Sequence, residues 1–122
     1  MTSLTFLRAV DKNGSMPRIT QPHDDAWSAD VEAAVATFGN RSRNEILRYL
    51  SAHGPASRGD IAASVSAGEP SVAKHLLALE ESGAVLVDVE PGRRHGRSPR
   101  YSANQPRIKE LLAAHLEYLL EA

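Results

Sequence analysis

The sequence predicts a mainly α-helical fold with one small β-hairpin. Apolar residues recur at steps of three and four in several separate segments, which is the spacing of a buried helix face. Residues 84–90, AVLVDVE, are rich in β-branched residues and alternate in polarity toward their end, which is typical of a strand, and residues 100–102 offer a return strand. A chain of 122 residues suits one compact domain.

The composition excludes several kinds of chemistry. The chain has no cysteine, so disulfides, thiolate metal ligands and cysteine nucleophiles are ruled out. No apolar run approaches the roughly 20 residues that a membrane-spanning helix needs, and the N-terminus lacks the pattern of a signal peptide. We therefore expect a soluble, cytoplasmic protein without a membrane partner.

Positive charge is concentrated late in the chain. The formal net charge is only -1, from 14 basic and 15 acidic residues. Between Pro91 and Lys109, however, there are six of the basic residues and no acidic one. Because a polyanion responds to the local field, this pattern favours a nucleic-acid partner despite the balanced total, whereas the simpler interpretation is a solvated loop.

Residues 1–25 are predicted to form an N-terminal arm ahead of a domain that spans residues 26–122. Proline and asparagine-glycine break the arm, whereas the pattern is helical from Asp24 onward. Asp24 and Asp25 suit the positive end of the helix dipole, and Gly39 is placed to end the helix. The predicted buried stripe consists of Trp27, Val31, Ala34, Val35 and Phe38.

Two helices with serine caps are predicted next. The first begins near Ser42, which is placed to form a capping box with Glu45, and ends at Gly54. The second is short and begins at Ser57, with Asp60 three residues later. The residues expected to face inward are Ile46, Leu47 and Leu50 in the first helix, and Ile61, Ala62 and Val65 in the second.

A tight turn at residues 66–68 leads to a fourth helix. Pro70 is tolerated in its first turn, where the missing N–H would have no partner, and Gly83 suits a left-handed cap at its end. The predicted buried stripe consists of Val72, Leu76 and Leu79.

A last helix is predicted from Gln105 to Glu121, after the hairpin loop of residues 91–99. Its large apolar residues exceed what one small core covers, so we predict a homodimer joined through this helix. The apolar residues are Ile108, Leu111, Leu112, Leu116, Leu119 and Leu120, of which Leu112, Leu116, Leu119 and Leu120 are assigned to the dimer interface.

Two short helices joined by a glycine-containing turn and followed by a basic hairpin are the parts of a winged helix-turn-helix. A helix of this kind fits the major groove of DNA, and the hairpin reaches the phosphates or the adjacent minor groove. The sequence therefore predicts a protein that binds double-stranded DNA.

Residues 70–85, PSVAKHLLALEESGAV, resemble the recognition helix of the ArsR-like bacterial repressors, and residues 38–50, FGNRSRNEILRYL, resemble that family's first helix-turn segment. The resemblance implies a dimeric transcriptional regulator, most simply a repressor that acts on a palindromic site. Metal-sensing members carry a cysteine pair where this chain has ASRGDIAAS, and carboxylate and histidine ligands on the last helix, where His115 and Glu117 here point to different faces. The resemblance therefore implies no metal sensing.

The candidate DNA-binding residues follow from this correspondence. Lys74 can donate hydrogen bonds to guanine, whereas His75 is expected to be packed or bonded to the backbone more readily than to contact a base. Leu77 stands where the family often has lysine, and Tyr101 is expected to pack inside the wing. The full set is Ser71, Ala73, Lys74 and His75 on the helix, and Arg93, Arg94, His95, Arg97 and Arg100 on the wing.

No enzymatic activity, cofactor or metal site is expected. The five histidines show no ligand spacing, and the sequence has no glycine-rich phosphate loop, carboxylate pair or nucleophile-base set. Two alternatives to a promoter regulator stay open: a plasmid or phage winged-helix protein for replication, partition or excision control, and a protein-interaction module. The basic wing argues against the second. The operator, the sign of regulation and any effector are not predicted.

Overall fold

The computed structural model describes residues 26–89 and 98–120. Within these residues the chain forms five helices and a three-stranded antiparallel sheet. None of the described helices has the length and apolar character needed to span a membrane. The elements are α1 (Ala29–Phe38), α2 (Arg41–His53), β1 (Ala56–Ser57), α3 (Arg58–Ser64), α4 (Glu69–Ser82), β2 (Val85–Val87), β3 (Arg100–Ala103) and α5 (Gln105–Leu120).

Helix α1 begins later than the sequence pattern predicts. Ser28 caps it, because its side chain accepts a hydrogen bond from the Val31 backbone N–H at 3.2 Å. Asp24 and Asp25, the predicted first-turn acids, lie outside the described residues.

The predicted buried stripe of α1 is wrong at Val35, and Trp27, its first predicted member, precedes the cap of the helix. The buried residues step by threes through Val31, Ala34 and Thr37, so Val35 falls off this line and is 39% exposed. Thr37 tolerates burial because its hydroxyl donates to Ser82 Oγ at 3.2 Å, so its side-chain oxygen has a hydrogen-bond partner.

The cap of α2 is Asn40, not the predicted Ser42. The Asn40 backbone is extended, and its Oδ1 accepts from the Arg43 backbone N–H at 3.0 Å, so the helix starts one residue before Ser42. Glu45 is consequently inside the helix and bonds elsewhere. Its carboxylate accepts from the Ser66 backbone N–H at 3.0 Å and from the Ser66 hydroxyl at 2.9 Å, which ties α2 to the turn before α4.

The predicted ends of α2 and α4 and the predicted starts of α3 and α4 are confirmed. Gly54 ends α2 with a φ of 78°, and the Ser57 side chain caps α3 by accepting from the Asp60 backbone N–H at 3.1 Å. Pro70 lies in the first turn of α4, and Gly83 ends that helix in the left-handed conformation with a φ of 86°.

The sheet has the strand order β1-β3-β2, with both pairings antiparallel. Val85 of β2 pairs with Ala103 of β3, as expected for the hairpin. Strand β1 was not predicted, because two residues directly before a helix cap carry no strand pattern of their own; Ala56 pairs with Tyr101 only in the folded chain. Strand β2 is shorter than predicted and ends at Val87.

The core lies between α4 and the elements around it. Its largest fully buried side chains include Ile46 and Leu50 of α2, Ile61 of α3, Leu76 of α4 and Leu111 of α5. Tyr101 packs into this cluster from β3 with only 6% exposure, which confirms the predicted packing role. The result is a helix-turn-helix, α3 and α4, followed directly by a hairpin, as the sequence predicts.

Candidate nucleic-acid interface

Helix α4 has one face in the core and the opposite face in solvent. Val72, Leu76 and Leu79 are each at most 1% exposed, which fixes the rotation of the helix about its axis. On the other side, Ser71 and Lys74 are exposed. The structure therefore presents both predicted side chains on an accessible helix surface.

His75 lies at the edge of this surface and is half-buried. Its Nδ1 accepts a hydrogen bond from Arg43 Nε at 3.0 Å, and Arg43 Nη1 donates in turn to the Ala36 carbonyl at 2.8 Å. Burial lowers the pKa of His75, and the positive charges of Arg43 and Lys74 lower that pKa further. The ring is thus held neutral and in contact with α2.

A groove of about 600 Å³ separates α4 from the base of the wing. Ala73 and Leu77 line it on the α4 side, and Pro99 and Tyr101 line it on the strand side. Leu77 is 56% exposed, so an apolar side chain stands in the accessible surface next to Lys74. Because Ala73 lines the groove and Ser71 does not, the two residues lie on different sides of the exposed α4 surface.

Arg58 is a basic residue of this region that the sequence interpretation did not select. It is the first residue of α3, lines the groove, and lies 3.8 Å from a Glu69 carboxylate oxygen in a pair that is more than half exposed. An ion pair this exposed and this long contributes little to stability, so the Arg58 guanidinium is available to another anion. The signal was present, since a basic residue directly follows the cap of the helix before the recognition helix.

Arg100 stands at the base of the wing. Its backbone N–H donates to Asp88 Oδ1 at 2.9 Å, and its Nη2 donates to the Pro55 carbonyl at 3.0 Å. The bond to Pro55 orients the guanidinium, and its other N–H groups remain available as hydrogen-bond donors. The remaining predicted wing residues, Arg93, Arg94, His95 and Arg97, lie outside the described residues.

Helix α5 carries an accessible apolar stripe. Leu111 is fully buried, whereas Leu112, Leu116, Leu119 and Leu120 are between 49% and 66% exposed. Their spacing of three and four places these four leucines on one side of the helix. The structure thus leaves uncovered the four residues that the sequence assigns to a dimer interface.

Arg107 anchors α5 to the rest of the domain. It donates to Asp30 of α1 at 2.8 Å, to Glu110 at 2.9 Å and to the Ser82 carbonyl at the end of α4 at 3.0 Å. The hydrogen bond from Arg107 lowers the pKa of Asp30. Trp27 adds an edge-to-face contact with Tyr118, with ring centroids 5.1 Å apart.

No group of three histidine, aspartate or glutamate side chains within the described residues is arranged to hold a metal ion.

The helix-turn-helix region also matches a known family. Residues 40–86, from the cap of α2 to β2, match the family model described as bacterial regulatory protein, arsR family. The chain therefore contains an ArsR-like helix-turn-helix region. The match includes residues 70–85 and all but the first two residues of the segment 38–50, the two segments on which the sequence resemblance was based.

Solved ArsR-like structures resemble this one over most of its length. An ArsR-like transcriptional regulator from Rhodococcus sp. RHA1 is 25% identical, with a TM-score of 0.60 over 76% of this chain and 82% of that chain. A second ArsR family transcriptional regulator is 23% identical, with a TM-score of 0.56 over 76% of this chain and 92% of that one. A possible transcriptional regulator for arsenical resistance shares the fold at 18% identity, with a TM-score of 0.52 over 78% and 97% of the two chains. None of the curated proteins matches the chain.

Proposed function

We propose that this ArsR-like protein is a sequence-specific regulator of transcription that binds a palindromic double-stranded DNA site as a homodimer. The observation that carries the proposal is the exposed face of α4, where Ser71 and Lys74 stand opposite the buried stripe. An α-helix fits the major groove, in which an ammonium group donates to guanine O6 or N7 and a hydroxyl donates or accepts. Helix α4 is accordingly the proposed recognition helix.

The wing and its surroundings supply the proposed contacts to the DNA backbone. Arg93, Arg94, His95 and Arg97 follow β2 in the chain, and the groove beside α4 leads to the base of the same hairpin at Pro99. Arg58, which lines the groove, and Arg100, at the start of β3, add basic groups near the wing. Arginine contacts to phosphates or to a narrow minor groove strengthen binding and position α4.

The exposed leucines of α5 support the homodimer. A twofold dimer uses the same apolar stripe on both subunits and places two recognition helices roughly 34 to 36 Å apart, one turn of DNA. A palindromic site follows from this symmetry. The simplest consequence of such binding in the cytoplasm, where bacterial DNA is transcribed, is that the bound dimer blocks a promoter and acts as a repressor.

Selection of bound fragments from genomic DNA tests this function. The purified protein should enrich fragments that share a palindrome, and it should bind a duplex with this palindrome far more tightly than a scrambled duplex of equal composition. A folded protein that enriches no fragment and binds both duplexes equally would contradict the proposal and favour docking on a protein partner.

The proposed regulator does not respond to metals. Zinc, cadmium and arsenite should leave the affinity for the selected palindrome unchanged, because the chain has no cysteine thiolate and its five histidines show no ligand spacing. Fluorescence anisotropy of the labelled duplex with and without each metal measures this. Loss of binding that a chelator reverses would contradict the prediction.

A further inference from the structure

We propose that Arg43 is a positioning residue of the DNA interface: it holds the His75 ring with Nδ1 as an acceptor, so that Nε2–H is presented as a hydrogen-bond donor to DNA. The inference rests on the proposed function and deepens it, because it assigns a chemical role to His75 and brings a residue of α2 into the recognition machinery.

The tautomer of His75 follows from the chemistry of its partner. A guanidinium group stays protonated in proteins and has no acceptor, so Arg43 Nε can only donate. Its distance of 3.0 Å from His75 Nδ1 therefore requires a lone pair on Nδ1. A neutral imidazole carries a single N–H, which must then be on Nε2.

The orientation of the ring follows from the contacts of Arg43. Besides His75, the Arg43 side chain donates to the Ala36 carbonyl at 2.8 Å, and its backbone N–H donates to Asn40 Oδ1 at 3.0 Å. These bonds fix Arg43 at the junction of α1 and α2. A flip of the His75 ring would place the Cδ2 carbon atom, which cannot accept a hydrogen bond, against a donor that cannot move away easily.

The second ring nitrogen is available to DNA. None of the described residues hydrogen bonds to His75 Nε2, and none of them has a side-chain nitrogen or oxygen that is both buried and without a partner, so Nε2 reaches solvent. His75 follows Ser71 by four residues, one helical turn along the same side of α4. The donor therefore stands beside the exposed hydroxyl of the recognition surface.

The chemistry of Nε2–H limits what His75 recognises. It pairs with an acceptor, which in the major groove of DNA is a phosphate oxygen, guanine O6 or N7, adenine N7 or thymine O4, and it does not pair with the amino groups of cytosine or adenine. Lowering of the pKa of His75, mainly by burial, keeps the ring in this neutral donor form at neutral pH.

Nitrogen-15 NMR of the histidine rings in the full chain tests the tautomer directly. In the wild type, His75 should show an unprotonated Nδ1 and a protonated Nε2 at neutral pH. In Arg43→Met, which removes the donor, both tautomers should appear. A wild-type ring protonated on Nδ1 would overturn the inference, whether or not any variant folds.

Binding to the selected palindrome tests the role in recognition. Arg43→Met and His75→Asn should each weaken binding about tenfold or more, the size expected for a hydrogen bond that involves a charged or well-positioned group. Arg41→Met is the matched control: it removes the same charge two residues earlier in α2, from a side chain that is 85% exposed and paired with Glu45, and it should change affinity far less.

Comparison of His75→Asn with two further variants, His75→Gln and a double variant, separates the positioning role of Arg43 from a general loss of structure. Asparagine at position 75 keeps an acceptor near the Nδ1 position, so His75→Asn should remain folded with Arg43 in place. His75→Gln, whose amide nitrogen lies near the Nε2 position, should recover part of the affinity. The double variant Arg43→Met/His75→Asn should bind DNA with about the same affinity as the single variant that binds less tightly. The two substitutions remove the same contact, so their effects should not add.

The outcomes distinguish this inference from the function on which it rests. A wild type that binds no duplex contradicts the proposed function. A wild type that binds its palindrome, with Arg43→Met equal to Arg41→Met or with additive losses in the double variant, overturns the inference alone. If the inference holds, equal losses by His75→Asn on cognate and scrambled duplexes identify a phosphate as the acceptor, and a loss on the cognate duplex alone identifies a base.

Discussion

Lys74 is the residue of α4 that we propose as the main base contact. It stands in the exposed arc of α4, opposite Leu76 and Leu79. If its ammonium group donates to a guanine, Lys74→Ala should cost about 1 to 3 kcal/mol on the palindrome and much less on random DNA. Binding titrations on both duplexes measure the two losses and so report the specificity directly.

Arg48→Ala provides the control for Lys74, since Arg48 is an exposed basic residue on α2 and its removal changes the net charge equally. This variant should weaken binding to both duplexes slightly and equally. Equal losses on cognate and random DNA for Lys74→Ala would reassign that side chain to a phosphate or to solvent.

At the scale of elements, the wing is expected to contribute affinity without sequence preference. Replacing Arg93, Arg94 or Arg97 with alanine should weaken binding to cognate and scrambled duplexes alike. Each lost phosphate contact should reduce the slope of log affinity against log salt by about one unit, because fewer counterions are released. Titrations over a range of salt concentrations measure this slope.

If the wing is only a solvated loop, replacing Arg93, Arg94 and Arg97 together with alanine should not affect DNA binding. Affinity and salt slope would then be unchanged on both duplexes. In that case the basic run has no nucleic-acid role, and the protein-interaction alternative gains support.

The end of α4 depends on glycine at position 83. Its φ of 86° disfavours any residue with a Cβ, and an added Cβ would lie 3.2 Å from Arg107 Cγ. The unfavourable backbone conformation by itself should make Gly83→Ala lower the free energy of unfolding by about 1 to 2 kcal/mol. Urea unfolding followed by circular dichroism measures this.

Gly59→Ala is the matched control on α3. Its added Cβ would come no closer than 4.0 Å to the Ser57 hydroxyl, and position 59 is helical. This replacement should raise the free energy of unfolding by up to about 1 kcal/mol, because it restricts the unfolded chain. Effects of the same sign and size at both glycines would contradict the account of the α4 cap.

For the molecule as a whole, we expect the α5 stripe to hold two subunits together. Burial of each exposed leucine contributes about 1.5 to 3 kcal/mol, whereas a buried unpaired carboxylate opposes association strongly. Leu116→Asp should therefore produce a monomer in sedimentation experiments and abolish tight binding to the palindrome. Leu86→Asp, the same change at a leucine of β2 that is 52% exposed, should leave the dimer intact.

Either of two results would contradict the assignment of this interface. A wild type that sediments as a monomer at micromolar concentration would contradict the homodimer. A Leu116→Asp variant that is as dimeric as the wild type would place the interface elsewhere on the molecule.

Local sequence by itself determined most helix boundaries and the buried face of α4. The Ser57 cap, Pro70 in a first turn and the left-handed Gly83 each depend on bonds or torsion angles within a few residues. The same holds for the step of three and four that buries Val72 and Leu76, since helix geometry alone converts this spacing into one face.

Only the tertiary structure decided the features that join distant segments. Strand β1 exists because Ala56 meets Tyr101, and Val35 is exposed because α1 turns a line of residues three apart toward the core. The bond between Arg43 and His75 joins residues 32 positions apart, so no local pattern predicts which ring nitrogen of His75 is bonded within the protein. Local rules determine which side of a helix is apolar, whereas the partner of a polar side chain is determined by packing of the whole chain.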